Sequence, residues 1–391
     1  MKEVFIVSVA RTPIGSFGGK LAELSAVQLG THAVKSALQK INLDPNLVEE
    51  LIFGNVVSAN VGQAPARQIA LAAGLSESTI CTTVNKVCAS GMKAAMYGAQ
   101  SILMNDADIV VVGGTESMSQ VPFYIPKARF GYKYGDAALI DGLSRDGLVN
   151  PYDNKAMGEF ADKTADKYQI SREAQDEFAI NSYKRSAAAT ENGKFKNEIS
   201  PIDIPTRKGV ITISEDEEFR NVMFDKIPTL KSAFPSKGTV TAANASTMND
   251  GAAAIILASG EAVKQHNLKP IARIVSFADG EIAPEWFTMA PTIAAPKALK
   301  KSGLTLKQMD FIEVNEAFAV VPLAFAKELG ADLNKMNVYG GGVSLGHPLG
   351  CSGARIIVTL TSVLQNEGGK YGLAAICNGG GGASAMIIER M

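Results

Sequence analysis

A chain of 391 residues, 46% apolar and 20% charged, is long enough for two or three domains and can bury large cores, which excludes a disordered polypeptide. Its 38 basic and 39 acidic residues leave a formal charge of −1, so no global field draws it to nucleic acid or a membrane surface, and any anion site must be local. No apolar run approaches the roughly 18 residues of a membrane span. The cysteines Cys81, Cys88, Cys351 and Cys377 form no CxxC pair, which argues against zinc and structural disulfides and for reduced thiols in a cytoplasmic setting.

The chain opens on a strand, "EVFIVSVA", with no visible targeting segment, and passes through "RTPIGSFGG" into the helical run "AVQLGTHAVKSALQKI", which carries His32. A strand in "VEELIFGNV" reaches Asn55. A β-like run, "STICTTVN", then gives way around Cys88 to the small-residue helical run "GMKAAMYGAQSILM", and the strand "DIVVVGG" follows. About Met118 to Gly238 is an insertion too long for a connection, so it must carry its own structure. Within it, "SREAQDEFAINSYKRSAAATENG" reads as an amphipathic helix capped by Ser171, with Glu173 and Asp176 in its early turns. The charged stretch "TRKGVITISEDEEFRNVMFDK" reads mostly as solvated surface. Beyond it lie the strand "RIVSFAD", the segment "MDFIEVNEA" with Asn315, the loop "YGGGVSLGHPLGCSGARI" with His347, and the strand "GLAAIC" running into "NGGGGAS".

The later elements repeat the earlier ones. Ser8 in "FIVSVAR" matches Ser276 in "RIVSFAD", Asn55 matches Asn315, Ser90 in "CASGMKAA" matches Ser352 in "GCSGARII", and "ADIVVVGGTES" resembles "GLAAICNGGGGAS". Four matches in one order argue for a duplicated unit. Strands alternating with helical runs predict βαβ units and mostly parallel sheets buried on both faces. The expected organisation is an N-terminal half from residues 1–117 and 239–268, an inserted loop domain over 118–238, and a C-terminal half over 269–391.

Reactive residues cluster at element ends. Cys88 sits where a helix should begin, followed by Ala89, Ser90 and Gly91, which leave the sulfur unshielded; the helix N-terminus would favour thiolate. The alternative is a buried apolar cysteine. Of three histidines, His32 and His266 read as structural or surface residues. His347 stands in a glycine-dense loop beside Pro348, suited to accept the Cys88 proton. Cys377 enters four glycines that allow a substrate close to backbone N–H groups, without the GxGxxG spacing of a dinucleotide fold. Asn315 is suited to orient a water or carbonyl, or to cap a turn. Two thiols, an imidazole and an amide suit acyl transfer through a covalent acyl-enzyme.

The segments "RTPIGSFGG", "NKVCASGMKA", "GTVTAANASTMNDGAAA", "VNEAFA", "GGVSLGHPLGCSGARI" and "CNGGGGAS" together make the whole chain resemble the thiolases, in particular the branch that uses acetyl groups. The resemblance implies an α/β fold, a duplicated five-layered α/β/α/β/α arrangement with a loop domain over the active site, in homotetramers built as dimers of dimers. It also implies condensation of two acetyl-CoA to acetoacetyl-CoA and coenzyme A, and the reverse thiolysis. Cys88 would take the acyl group, His347 would activate it, and Cys377 would handle the proton of the second substrate. Asn315 would hold an oxyanion-hole water, and the Gly379 and Cys88 N–H groups would form a second oxyanion hole.

For the substrates, the family pattern implies Lys226 at the nucleotide end of coenzyme A, Ser246 on the pantetheine arm, and Met157 and Phe318 near the acyl pocket. Arg207, Lys208, Arg220 and Lys237 are further candidate cations, and Ala242 belongs to the same wall. Ala156 stands where many thiolases have histidine, and Asn221 where they have arginine. The forms Cys-Ala-Ser-Gly and Cys-Asn-Gly-Gly resemble the potassium-activated branch, which would place that ion at Tyr183, Ala242, Ala243, Ala245 and Val343. No other cofactor is called for, and neither nucleic acid nor membrane is expected as partner. The rival readings are a 3-ketoacyl-CoA thiolase of broader chain length, a ketoacyl synthase, which would not need Cys377, a cysteine hydrolase, and a catalytically silent coenzyme A-binding scaffold.

Overall fold

The computed structural model describes residues 2–207, 209–235 and 238–391; the candidate cations Lys208 and Lys237 lie outside the described residues. In chain order the main elements are β1 (Val4–Arg11), α1 (Ala26–Lys40), β2 (Glu50–Gly54), α2 (Pro65–Ala73), β3 (Ile80–Val84), α3 (Ser90–Met104) and β4 (Ile109–Ser117). The intervening segment carries α4 (Met157–Lys167), α5 (Arg172–Glu191) and the hairpin β5 (Ile202–Thr206) with β6 (Gly209–Ile213). Then come β7 (Asn249–Ser259), β8 (Ala272–Glu281), α6 (Pro291–Ser302), β9 (Phe311–Val314), α7 (Val320–Leu329), α8 (Leu349–Glu367), β10 (Tyr371–Asn378) and β11 (Gly382–Arg390).

The strands run β1-β7-β4-β2-β3 in one half and β8-β11-β10-β9 in the other, where Met336 bridges Ile312 in place of a fifth strand, and the two sheets are joined edge to edge by a short antiparallel pairing of Val4–Ile6 in β1 with Ala272–Ile274 in β8. The repeat extends to atomic detail. A bulge interrupts β1 between Ile6 and Ser8 and β8 between Ile274 and Ser276. Ser8 Oγ donates to the Ala37 carbonyl at 2.7 Å, and Ser276 Oγ to that of Ala298 at 2.8 Å. The sheets are mixed, not mostly parallel: β2 lies parallel to β3 and β4, and β9 to β10, but β7 and β11 run antiparallel to their neighbours. The reason is connectivity. β11 returns from β10 by a tight glycine turn, and β7 returns to β4 after the whole intervening segment.

Alternation along the strands builds the layers. Val110 and Val112 face inward with Ile376 and Met386 onto α3 and α8, forming a core shared by both halves. Val111 and Ile256 face outward onto α1 and α2, while Ala375 and Ile387 face α6 and α7. Two sheets with helices between and outside them give the five layers α/β/α/β/α. Among the described residues no helix is long and apolar enough to cross a membrane.

The intervening segment departs from its sequence reading in two ways. Ser171 caps α5 as expected, accepting from the Ala174 N–H, but the buried face of α5 is polar as well as apolar, with Gln175, Asp176, Ser182 and Ser186 inside. Those side chains are committed to loops of the halves: Ser182 Oγ donates to Glu316 Oε2 at 2.7 Å, and Asp176 accepts from Asn244 Nδ2 at 2.9 Å. The charged stretch is likewise not all solvated. Arg11, at the end of β1, is wholly buried between Asp216 and Glu198, each 2.7 Å away, and fastens the segment to the first sheet. Burying one such partner alone would be costly, so the charges are inside only because they are paired.

Candidate active site

The Cys88 sulfur is aimed by a strained elbow. Val87 adopts φ of 47°, a left-handed conformation that costs a β-branched residue about 1–3 kcal/mol. The turn is held by Val87 N–H donating to Asn85 Oδ1 at 3.0 Å, by Lys86 N–H donating to Ser90 Oγ at 2.8 Å, and by Ser90 Oγ donating to the Val87 carbonyl at 2.6 Å. Cys88 is only 8% exposed and lies two residues before α3, so the expectation of an unshielded thiolate at a helix end is corrected. Burial pushes the thiol up to about 12, outweighing the lowering effect of the Gly379 and Cys88 N–H groups directed at the sulfur. The first N–H groups of the turn, Ala89 and Ser90, are already spent on the carbonyls of Lys86 and Val87.

His347 is reached by a turn only glycine permits: Gly346 has φ of 106°, and a Cβ there would lie 2.4 Å from Asn249 Cγ. Asn249 Oδ1 accepts the His347 N–H at 2.9 Å. Ser352 Oγ donates its one proton to the Pro348 carbonyl at 2.9 Å, so the 2.6 Å contact with His347 Nδ1 is satisfied when Nδ1–H donates to Oγ. That assigns the tautomer and leaves Nε2 with a bare lone pair, buried and without a partner among the described residues. Burial, with the charge of Arg355 second, lowers the imidazole to about 3. Cys88 is therefore favoured as neutral thiol and His347 as neutral imidazole. Ser352→Ala removes the tautomer lock and should lower acyl transfer about 10- to 100-fold with little change in melting temperature; unchanged turnover would show that Ser352 does not set the tautomer.

Cys377 closes β10 and is fully buried; burial and then the neighbouring Cys88 raise its thiol above the usual range, so its sulfur senses the charge of Cys88. Gly380 and Gly381, with φ of 89° and 95°, turn the chain so that the Gly379 N–H faces Cys88. Asn315 is 1% exposed, and neither its Oδ1 nor its Nδ2 has a partner among the described residues. Buried polar atoms left unsatisfied cost about 1–3 kcal/mol each, so the amide of Asn315 and Nε2 of His347 are candidates to hydrogen-bond a reacting group.

At the equivalent end of β4 stands Glu116, wholly buried, accepting from Asn55 Nδ2 and from the N–H groups of Val56, Val57 and Gly350 at 2.8–3.2 Å. It ties the first half to the loop that carries His347. Burial raises its carboxyl to about 7. Glu116→Gln points an amide at these donors and should cost about 2–3 kcal/mol of stability, read by melting. An unchanged melting temperature would mean that the carboxyl is already protonated in the fold and that its O–H serves where the amide would.

A cavity of about 260 Å³ opens onto Cys88, His347 and Gly379, with Met157, Ser246 and Phe318 on its walls. Cys377 and Asn315 are not among its lining residues. Arg220 and Lys226 are exposed and do not line the cavity, and Arg220 is paired with Glu215 at 2.5 Å; Arg207 is also exposed. Sequence reasoning missed Met118, Phe234, Met248 and Asn249. The last stands in the quoted segment "TMND", but the others carry no polar signal that would separate them from core.

A thiolase N-terminal domain model matches residues 4–261 and a thiolase C-terminal domain model matches residues 268–390. The acetyl-CoA acetyltransferase of Saccharomyces cerevisiae is 54% identical, covering 100% of both chains, and a probable acetyl-CoA acetyltransferase of Dictyostelium discoideum is 55% identical over 100% of this chain and 95% of that one. A cytosolic acetyl-CoA acetyltransferase of Gibberella zeae is 54% identical over 99% and 98%. Among solved structures, the Acat5 thiolase of Ascaris suum in complex with coenzyme A superposes with a TM-score of 0.95 at 46% identity, covering 100% of both chains. Human mitochondrial 3-ketoacyl-CoA thiolase gives 0.97 at 41%, covering 100% and 99%.

Proposed function

The chain belongs to the thiolase family, and on that premise we propose that it is an acetyl-CoA C-acetyltransferase working through an acetyl-Cys88 intermediate. The observation that carries this reading is the convergence of Cys88, the bare Nε2 side of His347 and the Gly379 N–H on one cavity. Cys88 Sγ attacks the thioester carbon as its proton passes to His347 Nε2. The Gly379 and Cys88 N–H groups hold the oxyanion, and the departing coenzyme A sulfur takes the proton from His347. After a second acetyl-CoA enters, Cys377 passes its own proton to His347 Nε2 and as thiolate removes a methyl proton, while the new Nε2–H and a water on Asn315 hold the enolate oxygen. The enolate carbon attacks acetyl-Cys88, its C–S bond breaks, and the freed sulfur takes the proton from His347 Nε2, leaving Cys377 with the proton of the methyl group.

A cavity of about 260 Å³ lies below the roughly 300–1,000 Å³ of a drug-sized site, which favours a pantetheine arm with a short acyl group over a long chain. Phe287 and Phe318 pack edge to face at 6.4 Å on its wall. Lys226 and Arg220 serve the coenzyme A phosphates from outside the cavity, in a homotetramer located in the cytoplasm; a relative named cytosolic supports the last point.

Potassium fits the residues the family pattern assigns to it. Tyr183 and Val343 pack in one buried cluster, and the carboxylates of Glu218 and Glu316 bear on the Tyr183 hydroxyl, which burial raises first. Carbonyls of Ala242, Ala243, Ala245 and Val343 would complete hard oxygen ligation and order the wall beside Ser246. The deciding experiment incubates the protein with acetoacetyl-CoA and coenzyme A. Loss of the β-ketothioester enolate absorbance, with acetyl found on Cys88 by mass spectrometry, is expected, faster in potassium than in sodium. No loss, or acetyl on Cys351, would remove the reading.

A further inference from the structure

The two thiols belong to different halves of the duplicated chain, and one lysine bridges their backbones. Lys86, two residues before Cys88, directs its Nζ into the second sheet. There it donates to Asp279 Oδ1 at 2.6 Å, to the Ala383 carbonyl at 3.0 Å and to Ser384 Oγ at 3.1 Å. Those three acceptors use all three protons of the ammonium. In the ladder of β10 with β11, Ala383 is the residue directly opposite Cys377. Asp279 is in turn opposite Ser384 across β8 and β11, accepts from Ser384 Oγ at 2.6 Å, and takes a second cation, Lys93 of α3, at 2.7 Å on its other oxygen. At its own end Lys86 is part of the strained elbow, with its N–H on Ser90 Oγ.

We propose that Lys86, latched through Asp279 and the Ala383 carbonyl, is a positioning residue that sets the distance between Cys88 and Cys377 and thereby serves the carbon–carbon bond-forming step. This rests on the acetyl-transfer reading above. The first half-reaction needs Cys88, His347 and the Gly379 N–H. The second also needs the Cys377 sulfur within reach of a methyl group held against acetyl-Cys88. An elbow carrying Val87 at φ of 47° has a local preference to relax, and the Lys86 ammonium is its tie to the opposite sheet. Misplacement by about 1 Å is enough to cost about 100-fold in a step that depends on two groups at once.

The test separates the two steps in Lys86→Met. Exchange of labelled coenzyme A into acetyl-CoA reads the first, and acetoacetyl-CoA formation reads both. Exchange should stay within about fivefold of wild type while condensation falls about 100-fold. Asp279→Asn, which keeps the shape of the carboxylate, should give the same split in smaller measure and supplies the readout if Lys86→Met fails to fold. Lys93→Met touches the same carboxylate but not the Ala383 carbonyl, and should leave both steps within about threefold. Equal loss of exchange and condensation in Lys86→Met and Asp279→Asn, or no loss in either, overturns the proposal. Wild-type protein that performs no exchange would instead overturn the parent reading, and this proposal with it.

Discussion

Cys377→Ala should leave exchange of coenzyme A into acetyl-CoA within about tenfold of wild type while acetoacetyl-CoA synthesis and thiolysis fall by about 1,000-fold or more. The asymmetry follows from placement. Cys377 does not line the cavity that Cys88 faces and is fully buried at the end of β10, so it is not needed to hold the acyl group on Cys88. Its thiol is raised by the neighbouring Cys88, and it stands two residues before Gly379, whose N–H is directed at the Cys88 sulfur. Removing one sulfur from a packed strand end costs little stability beside the loss of the base, so melting should change far less than turnover. Exchange and condensation lost together would return Cys377 to the core residues and leave the condensation without a proton acceptor.

His347→Asn should reduce both steps by about 1,000-fold, in contrast with the split expected for Cys377. Asparagine keeps an N–H toward Ser352 Oγ but has nothing where Nε2 stands, and Nε2 is the bare acceptor on the cavity. The neutral state of the pair makes the loss large. With burial holding Cys88 up to about 12 and His347 down to about 3, the thiol keeps its proton throughout the physiological range and must lose it during attack. Exchange at near wild-type rate in this variant would show that another group deprotonates Cys88 and would confine His347 to the enolate.

Much of the site was legible from residue type and place in the chain. Cys88, His347, Cys377 and Asn315 were singled out because a thiol, an imidazole or an amide at the end of an apolar strand or inside a glycine loop has few packing reasons to be there. The duplication was legible for the same kind of reason: Ser8 and Ser276 each close a bulge onto a helix carbonyl, so both copies retained a polar residue at one point of an apolar strand. Two readings failed because they treated local signals as if no tertiary environment followed. A helix end favours thiolate only where water reaches it, and desolvation of Cys88 outweighs two N–H donors. Asp216 looks like any surface acid until Arg11, from the far end of the chain, is placed against it inside the protein.

What the linear order of residues determined is the fold family, the repeated strand and helix unit, and the candidates for the reactive groups, since periodicity, turn glycines and nucleophile types are local properties of a chain. What only the tertiary structure decided is which of those groups meet and in what state. The bare face of His347, the protonated Cys88, the orphaned amide of Asn315 and the Lys86 tie between two sheets all arise from contacts between residues far apart in the chain, in an interior where water no longer sets the charge.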